Sequence, residues 1–232
     1  LESAVVQHPN VRSYALSDVV GAYGMTVEEL RAGRTYRDAC WMLEPIWCWY
    51  AVKSQWSESV IYMDADTFLF APLTEALSGI NNHAVALAPH HFPNPERESH
   101  CGRYNFGMAW FHNTAFVEQE LRYWCEDTLK APAGYGGQRL LDSWPSRIGD
   151  ALYEFPATCN CGPWRHSEIR GNPPKLNGKP LVHYHFHELR SGPGRNTVTI
   201  NGRQFNLTNY PLAETTRQSV YVPYLEVLSK YV

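Results

Sequence analysis

The sequence predicts an α/β fold in which helices flank a central mixed sheet. The aromatic-rich segment Cys40–Val52 has near-helical periodicity and leads into the short apolar run Val60–Met63, which is typical of a buried strand. Two further apolar runs, Ala84–Ala88 and Phe106–Phe111, predict more strands of the same sheet. Helices that alternate with strands are the pattern of layered α/β proteins. No linker or repeat divides the 232 residues, so we expect one domain over residues 1–232.

The remaining elements follow from local patterns of apolar and turn residues. The predicted strands are Val11–Leu16, Leu152–Phe155 and Leu181–Phe186, and the predicted helices are Thr26–Arg31, Val117–Cys125 after a cap at Asn113 or Thr114, Gln138–Trp144, and Pro223–Tyr231. Asn-Gly pairs at Asn177 and Asn201 predict two hairpin turns.

Prolines predict the local structure of three segments. Pro45 should lie in the first turn of its helix, where a missing N–H costs little. Pro145 should end the helix that precedes it. The segment Pro89–Gly102 has no apolar period and should form a long loop, which is often a functional feature in a compact domain.

The composition excludes some classes of protein. Hydrophobic residues make up 44% and charged residues 19% of the chain, which is ordinary for a globular protein. The formal net charge of -3 argues against a broad nucleic-acid-binding surface. No apolar run approaches the ~20 residues of a membrane span. The 6 cysteines include Cys159 and Cys161, whose C-x-C spacing is not that of a zinc knuckle, so we expect reduced, structural thiols.

Two aspartates follow the predicted strand Val60–Met63 directly. Asp64 and Asp66 would point the same way if the strand continued through them. Because carboxylates at the end of a buried strand need a cationic partner, we expect a divalent metal there. Hard oxygen ligands suit Mg²⁺ or Mn²⁺ shared with a substrate phosphate. The alternative is that both aspartates simply cap a following turn or helix.

Three histidines form the second signal. His183, His185 and His187 alternate with apolar or aromatic residues at period two, so a strand would place them on one face. Burying such a row without polar partners is costly, which favours a cleft or a metal. The alternative is a half-exposed strand with a polar face. One histidine added to two carboxylates makes a reasonable Mn²⁺ ligand set.

Several segments in order resemble the GT-A glycosyltransferases, above all the family-8-like group and its bacterial relatives, the nucleotide-diphospho-sugar transferases. The similar segments are Val60–Asp66 (their Asp-x-Asp strand), Arg103–Met108 (Asn-x-Gly), Gly137–Pro145 (Asp-Gln-x-x-Leu), Gly162–Trp164 (Pro-Trp) and His185–His187 (a late metal-ligand strand). The resemblance implies a Rossmann-like GT-A fold and a nucleoside-diphosphate sugar as the donor.

The resemblance also implies site residues. Mn²⁺ or Mg²⁺ would be held by the two aspartates with His185 or His187, and the donor would be bound by Asp64, Ala65, Asp66, Arg37, Arg103 and Trp164. The two arginines would pair with phosphate and the tryptophan would stack on a sugar. Asn105 and Gln138 would hydrogen-bond sugar hydroxyls, with Asp142 as a third catalytic candidate.

Two departures from the family pattern matter. Gly137 stands where the family has the aspartate of its Asp-Gln pair, and nothing corresponds to the family's first strand and helix, so we expect that N-terminal part to be missing. A non-catalytic sugar-binding or scaffold protein is therefore the main alternative. A haloacid dehalogenase-type phosphatase would want Thr or Val where Phe68 stands.

The expected function is metal-dependent transfer of a sugar to a glycan or glycolipid acceptor, with retention implied by the resemblance. We expect no nucleic-acid partner and no transmembrane segment. The expected location is the cytoplasm, with peripheral association at the inner face of the membrane left open.

Overall fold

The computed structural model describes residues 10–132 and 134–231. Its α-helices, α1 to α9 in chain order, are Leu16–Ala22, Val27–Arg31, Tyr36–Lys53, Thr74–Leu77, Glu96–Cys101, Ala115–Lys130, Trp144–Ile148, Glu214–Thr216 and Val222–Leu228. Its strands, β1 to β12, are Ser59–Met63, Thr67–Leu69, Val85–Pro89, Tyr104–His112, Leu152–Glu154, Ile169–Arg170, Lys175–Leu176, Lys179–Pro180, His183–His185, Arg190–Ser191, Thr197–Ile200 and Arg203–Asn206.

The chain divides into two compact units. The first is drawn from Leu1–Val60 and Asn113–Leu140, and the second from Ile61–His112 and Leu141–Val232. The expectation of one domain over the whole chain stays a prediction.

The first unit is helical, and α3 is its central element. α3 contacts α1, α2 and α6. The helix begins at Tyr36 because Thr35 and Asp38 form a capping box that satisfies two backbone N–H groups at its start. Pro45 therefore lies inside the helix, and its predicted place in the first turn is wrong. Thr114 caps α6 by accepting a hydrogen bond from the Val117 N–H, as expected for one of the two predicted caps.

The predicted strand Val11–Leu16 is also wrong. The residues from Val11 to Ala15 have no regular structure, and Leu16 begins α1 instead. Val11 is 56% exposed, so the apolar run that indicated a strand is not buried in a sheet. Asp18 in the first turn favours the helix, because a negative charge is stabilising at a helix N-terminus.

The second unit contains β3, β4, β5 and the part of β1 from Ile61 onward, which belong to a four-stranded sheet in the order β1-β4-β3-β5. β3 pairs antiparallel with β4 and parallel with β5, so the predicted mixed sheet is confirmed. All five residues of β3 are buried, whereas those of β1 are only partly buried. The expectation that β1 is buried on both faces is wrong, because β1 is an edge strand.

Three small sheets complete the second unit, in the orders β2-β9, β10-β12-β11 and β6-β7-β8. Both predicted Asn-Gly hairpins are present. Asn177 and Gly178 connect β7 to β8, and Asn201 and Gly202 connect β11 to β12, all four with positive φ as type I′ turns require. An apolar cluster that includes Phe186, Phe205, Tyr221 and Leu225 packs beneath these sheets.

Two proline-containing segments differ from expectation. The segment Pro89–Gly102 is not a loop throughout, because its second half forms α5. Pro145 lies in the first turn of α7 rather than ending a helix, and a 3₁₀ helix over Gly137–Ser143 precedes it. A first-turn proline is favourable because that N–H has no partner within the helix. Within the described residues, no helix is both long and apolar enough to cross a membrane.

Candidate metal centre

Asp64 and Asp66 lie in a tight turn between β1 and β2, not in a continuous strand. The turn is closed by the Thr67 hydroxyl, which donates a hydrogen bond of 2.7 Å to the Asp64 carbonyl. The Asp64 N–H donates to the Gly107 carbonyl at 3.1 Å, which fixes the start of the turn against β4. The expectation that the strand continues through both aspartates is wrong, but the turn still brings their carboxylates together.

The pairing of β2 with β9 carries His185 to the same place. Thr67 lies opposite His185 in this antiparallel pair, and the Phe186 N–H donates to the Asp66 carbonyl at 2.8 Å. On its other side, the His185 N–H donates to the Cys161 carbonyl at 2.8 Å. The backbone of β9 is therefore held from two sides at the residue whose side chain faces the aspartates.

The three side chains form what we call the acidic–histidine cluster: Asp64, Asp66 and His185. His185 Nε2 lies 3.3 Å from Asp66 Oδ1 and 3.7 Å from Asp64 Oδ2. One ligand atom of each residue lies within 4.8 Å of the others. Two carboxylate oxygens and one imidazole nitrogen suit Mn²⁺ or Mg²⁺ chemically. The residues present therefore fit a divalent cation.

Burial and charge act differently on the two carboxylates. Burial raises the pKa of Asp64, and His185 and the Tyr62 hydroxyl, which donates to Oδ1 at 2.6 Å, offset it only in part. Burial also opposes ionisation of Asp66, but the hydrogen bond and charge of His185 outweigh it, so the pKa of Asp66 is lowered. Two partly buried carboxylates that share one histidine are short of positive charge.

Asn105 connects the cluster to β4. It is 7% exposed, and its Oδ1 lies 3.0 Å from His185 Nδ1. The same oxygen accepts hydrogen bonds from the Gly107 N–H at 3.0 Å and from Asn160 Nδ2 at 2.6 Å. A Cβ at Gly107 would lie 2.6 Å from Asn160 Oδ1 and 2.9 Å from Asn105 Oδ1, so only glycine fits there.

The other two histidines of the row have different surroundings. His183 is fully buried, its Nδ1 accepts a hydrogen bond from the Asn160 N–H at 3.2 Å, and burial lowers its pKa to about 3. His187 is exposed, with its ring centre 5.7 Å from that of His185. The cluster of ligand atoms contains His185 and not His187. The role of His187 as a metal ligand stays a prediction.

Arg103 and Asp142 belong to a second polar group, which we call the arginine cluster: Arg103, Tyr104, Asp142 and Glu154. Arg103 Nε and Nη2 each donate to a Glu154 oxygen at 2.8 Å, and the Tyr104 hydroxyl donates to Glu154 at 2.6 Å. Asp142 accepts a hydrogen bond of 2.7 Å from the Arg103 backbone N–H. Both predicted site residues are thus engaged with protein groups.

The other predicted site residues are distributed over the chain. Trp164 is 6% exposed, donates to the His90 carbonyl at 2.7 Å, and has its ring centre 6.4 Å from that of His185. Ala65 is exposed in the turn between the aspartates. Arg37, 5.8 Å from the Trp41 ring, and Gln138 belong to the first unit. The roles of these four residues stay predictions.

Arg190 is a residue that sequence reasoning missed. It lines an open cleft together with Ala65, Asp66 and Tyr224. Its Nη1 donates to the Leu189 carbonyl at 2.9 Å, and it has no carboxylate partner in the part of the chain that the structure describes. A single arginine in a short strand is not distinctive, so only its position beside Asp66 makes it a candidate.

Comparison with known proteins gives limited similarity. No family model matches the chain, and no curated protein matches it. A glycosyltransferase involved in the glycosylation of the major capsid of PBCV-1 aligns at 14% identity over 64% of this chain and 71% of that chain, with a TM-score of 0.47. Mouse xyloside xylosyltransferase 1 in its apo form aligns at 13% identity over 75% of this chain and 71% of that chain, with a TM-score of 0.44. Similarity of this size does not establish a shared fold.

The fold and the site together define an α/β protein with a mixed sheet and a candidate divalent-cation site. GT-A topology and family-8-like membership remain predictions from the sequence.

Proposed function

We propose that this chain is a metal-dependent glycosyltransferase that moves a sugar from a nucleoside-diphosphate sugar to a glycan or glycolipid acceptor, with retention. The observation that carries the proposal is the convergence of Asp64, Asp66 and His185 at the turn between β1 and β2. The ordered segments that resemble the GT-A enzymes favour a nucleotide sugar over other phosphate-bearing ligands.

Each residue of the cluster has a distinct part in this proposal. Asp64 and Asp66 supply carboxylate oxygens and His185 supplies Nε2 to a divalent cation. When bound, such a cation neutralises charge on a leaving diphosphate. The cleft beside Asp66 offers room for the donor, and Arg190 in its wall is placed to pair with a phosphate oxygen.

The reaction proposed is a group transfer between two oxygens. The bond from the anomeric carbon to the diphosphate oxygen breaks, and a bond from that carbon to an acceptor hydroxyl oxygen forms. The hydroxyl proton leaves with the diphosphate, so no oxidant or reductant is needed. The chain's own residues would bind and orient the two substrates, which lowers the entropy cost of bringing the acceptor hydroxyl to the anomeric carbon.

One observation favours the alternative of a non-catalytic sugar-binding or scaffold protein. Asn105, Arg103 and Asp142, which were predicted to contact substrate, are all hydrogen-bonded to protein groups. A protein that keeps the cation site without these contacts would bind a nucleotide but transfer nothing.

A ligand screen followed by a turnover assay separates the two functions. The Tm of the protein is measured with UDP, GDP or CDP, each with and without Mn²⁺, and then release of nucleoside diphosphate from the matching sugar donors is followed. A glycosyltransferase should show the largest Tm increase with one nucleotide and Mn²⁺ together, and should release that nucleotide from a sugar donor. Binding without release, or no increase with any pair, would contradict the transferase and favour the sugar-binding or scaffold protein.

A further inference from the structure

We propose that Asn105 is a positioning residue for the metal ligand His185, and that a buried hydrogen-bond chain from His185 through Asn105 to His90 fixes which nitrogen of His185 faces the aspartates. This inference rests on the proposed metal site. It assigns Asn105 a different role from the sugar contact that the sequence indicated.

The orientation of the Asn105 amide follows from a backbone group. The Gly107 N–H can only donate, and it points at one end of the Asn105 amide from 3.0 Å, so that end is the oxygen. An amide oxygen can only accept. His185 Nδ1, 3.0 Å from the same oxygen, must therefore carry a proton. Because Nδ1 is engaged with Asn105, Nε2 is the nitrogen that faces the aspartates, 3.3 Å from Asp66 Oδ1, and the one left to bind a cation.

The other end of the amide gives an independent check. Asn105 Nδ2 is a donor, and its partner is His90 Nε2 at 3.2 Å, so neutral His90 must carry its proton on Nδ1. His90 Nδ1 lies 3.3 Å from the Arg103 carbonyl, which can accept that proton. Burial lowers the pKa of His90 to about 4, so the ring is neutral near pH 7. Each donor in the hydrogen-bond chain from His185 through Asn105 to His90 therefore meets an acceptor.

Contacts with neighbouring residues fix the positions of His90 and Asn105 in this hydrogen-bond chain. The His90 ring stacks on Phe92 with centres 4.4 Å apart, and the His90 carbonyl accepts the Trp164 indole N–H at 2.7 Å. Asn160 Nδ2 donates to both the carbonyl and the side-chain oxygen of Asn105. Asn105 has its amide groups satisfied within the protein, which leaves it poorly suited to bind a sugar hydroxyl.

The neighbouring His183 shows that the assignment is not a general property of the strand. Its Nδ1 faces the Asn160 backbone N–H and must accept, so neutral His183 carries its proton on Nε2. That Nε2 is buried without a hydrogen-bond partner in the described residues. The two histidines, both in β9, therefore use Nδ1 in opposite ways: Nδ1 of His183 accepts a hydrogen bond, and Nδ1 of His185 donates one.

The tautomers can be measured on the metal-free wild-type protein by long-range ¹H–¹⁵N correlation spectra of assigned histidine rings. We expect Nδ1–H for His185 and His90 and Nε2–H for His183. Finding Nδ1 of His185 without a proton would overturn the proposal without any mutation.

Mn²⁺ affinity, measured without nucleotide from the EPR signal of free Mn²⁺, tests the consequence. Asn105→Ala should weaken binding by about 10–100-fold, the usual effect of losing a hydrogen-bond partner of a metal ligand. Asn105→Asp keeps the acceptor oxygen and should retain most of the affinity. Asn206→Ala is the control, because Asn206 is 8% exposed and hydrogen-bonded like Asn105 but lies in β12.

The outcomes separate this inference from the proposed function. A folded Asn105→Ala protein with wild-type Mn²⁺ affinity, or equal losses for the Ala and Asp variants, would refute the positioning role. If Asn105 contacted the sugar instead, only the KM for the donor would rise. If the wild-type protein bound no Mn²⁺, the proposed function would lose its support. The NMR measurement on the metal-free protein would still test whether Asn105 holds a proton on Nδ1 of His185.

Discussion

The acidic–histidine cluster and the arginine cluster lie in the same unit but differ in how fully their charges are matched. In the arginine cluster, two N–H groups of Arg103 meet the two oxygens of Glu154 at 2.8 Å each. In the acidic–histidine cluster, Asp64 and Asp66 share His185, which is charged only when protonated. In the first cluster Glu154 has an arginine of its own and Asp142 accepts a backbone N–H, whereas in the second two carboxylates share one histidine.

This difference bears on which polar groups are available to bind a ligand. A fully paired arginine stabilises the fold and has few donors left for a ligand. A pair of partly buried carboxylates that share one histidine gains most from a bound cation. The sequence predicted ligand contacts for residues of both clusters. Whether a charged side chain already has a partner of opposite charge within the protein is therefore the more useful criterion for choosing ligand-binding candidates.

The largest expected effect is on metal binding by the acidic–histidine cluster. Mn²⁺ at about 100 times its Kd should stabilise the wild-type protein by about 2.7 kcal/mol, which corresponds to a Tm increase of about 5–10 °C for a chain of this size. Asp66→Ala should remove this increase, because it deletes a ligand. Differential scanning calorimetry with and without Mn²⁺ measures it.

Asp142→Ala is the matched control from the arginine cluster. It removes the acceptor of the Arg103 N–H and should lower the stability of the metal-free protein by about 1 kcal/mol. Its Mn²⁺-dependent Tm increase should equal that of the wild type. An Asp66→Ala protein that keeps the full increase would show that the metal lies elsewhere.

The second effect compares two arginines. Arg190 has no carboxylate partner among the residues that the structure describes, whereas Arg103 is paired with Glu154. Arg190→Ala should weaken binding of inorganic diphosphate in the presence of Mn²⁺ by about tenfold, the value of one charge-assisted hydrogen bond. Arg103→Ala should lower stability and leave this affinity nearly unchanged. Isothermal titration calorimetry with both variants decides between them, and the opposite ranking would restore Arg103 as the phosphate contact.

The smallest effect concerns Glu154. Its hydrogen bonds to Arg103 lower its pKa, so the folded state favours the ionised carboxylate. The resulting stability is present above the ordinary glutamate pKa of about 4.3 and is lost as the pH falls through the lower folded-state value. Glu154→Gln should cost about 1 kcal/mol or less near pH 7, because the pair is partly exposed.

Urea unfolding of Glu154→Gln and wild type at pH 7 and at pH 3 should show this difference shrinking on acidification. The exposed Glu226→Gln variant serves as the control, with a small effect at both values. A Glu154 effect that is independent of pH would mean that side-chain packing, not charge, is responsible.

Local patterns predicted much of the fold. The helix over Cys40–Val52, the strands that became β3 and β4, and both Asn-Gly hairpins are confirmed, because periodicity and turn chemistry act over a few residues. Three of the exceptions, Val11–Leu16, Pro45 and Pro145, depended on neighbours outside the local pattern. The cap at Thr35 starts α3 earlier than expected, so that Pro45 lies in its interior. The apolar run that begins at Val11 does not pair with a strand in the described residues.

The sequence by itself determined that two carboxylates follow a strand and that histidines alternate along another, because these are properties of adjacent residues. Only the tertiary structure decided that His185 joins the aspartates, since this depends on the register of β9 against β2. It also decided that Asn105, 80 residues away in sequence, faces His185, and that Glu154 accepts the side-chain hydrogen bonds of Arg103. Hydrogen-bond partners are set by which distant strands meet, and local periodicity can predict the face of a side chain but not the group opposite it.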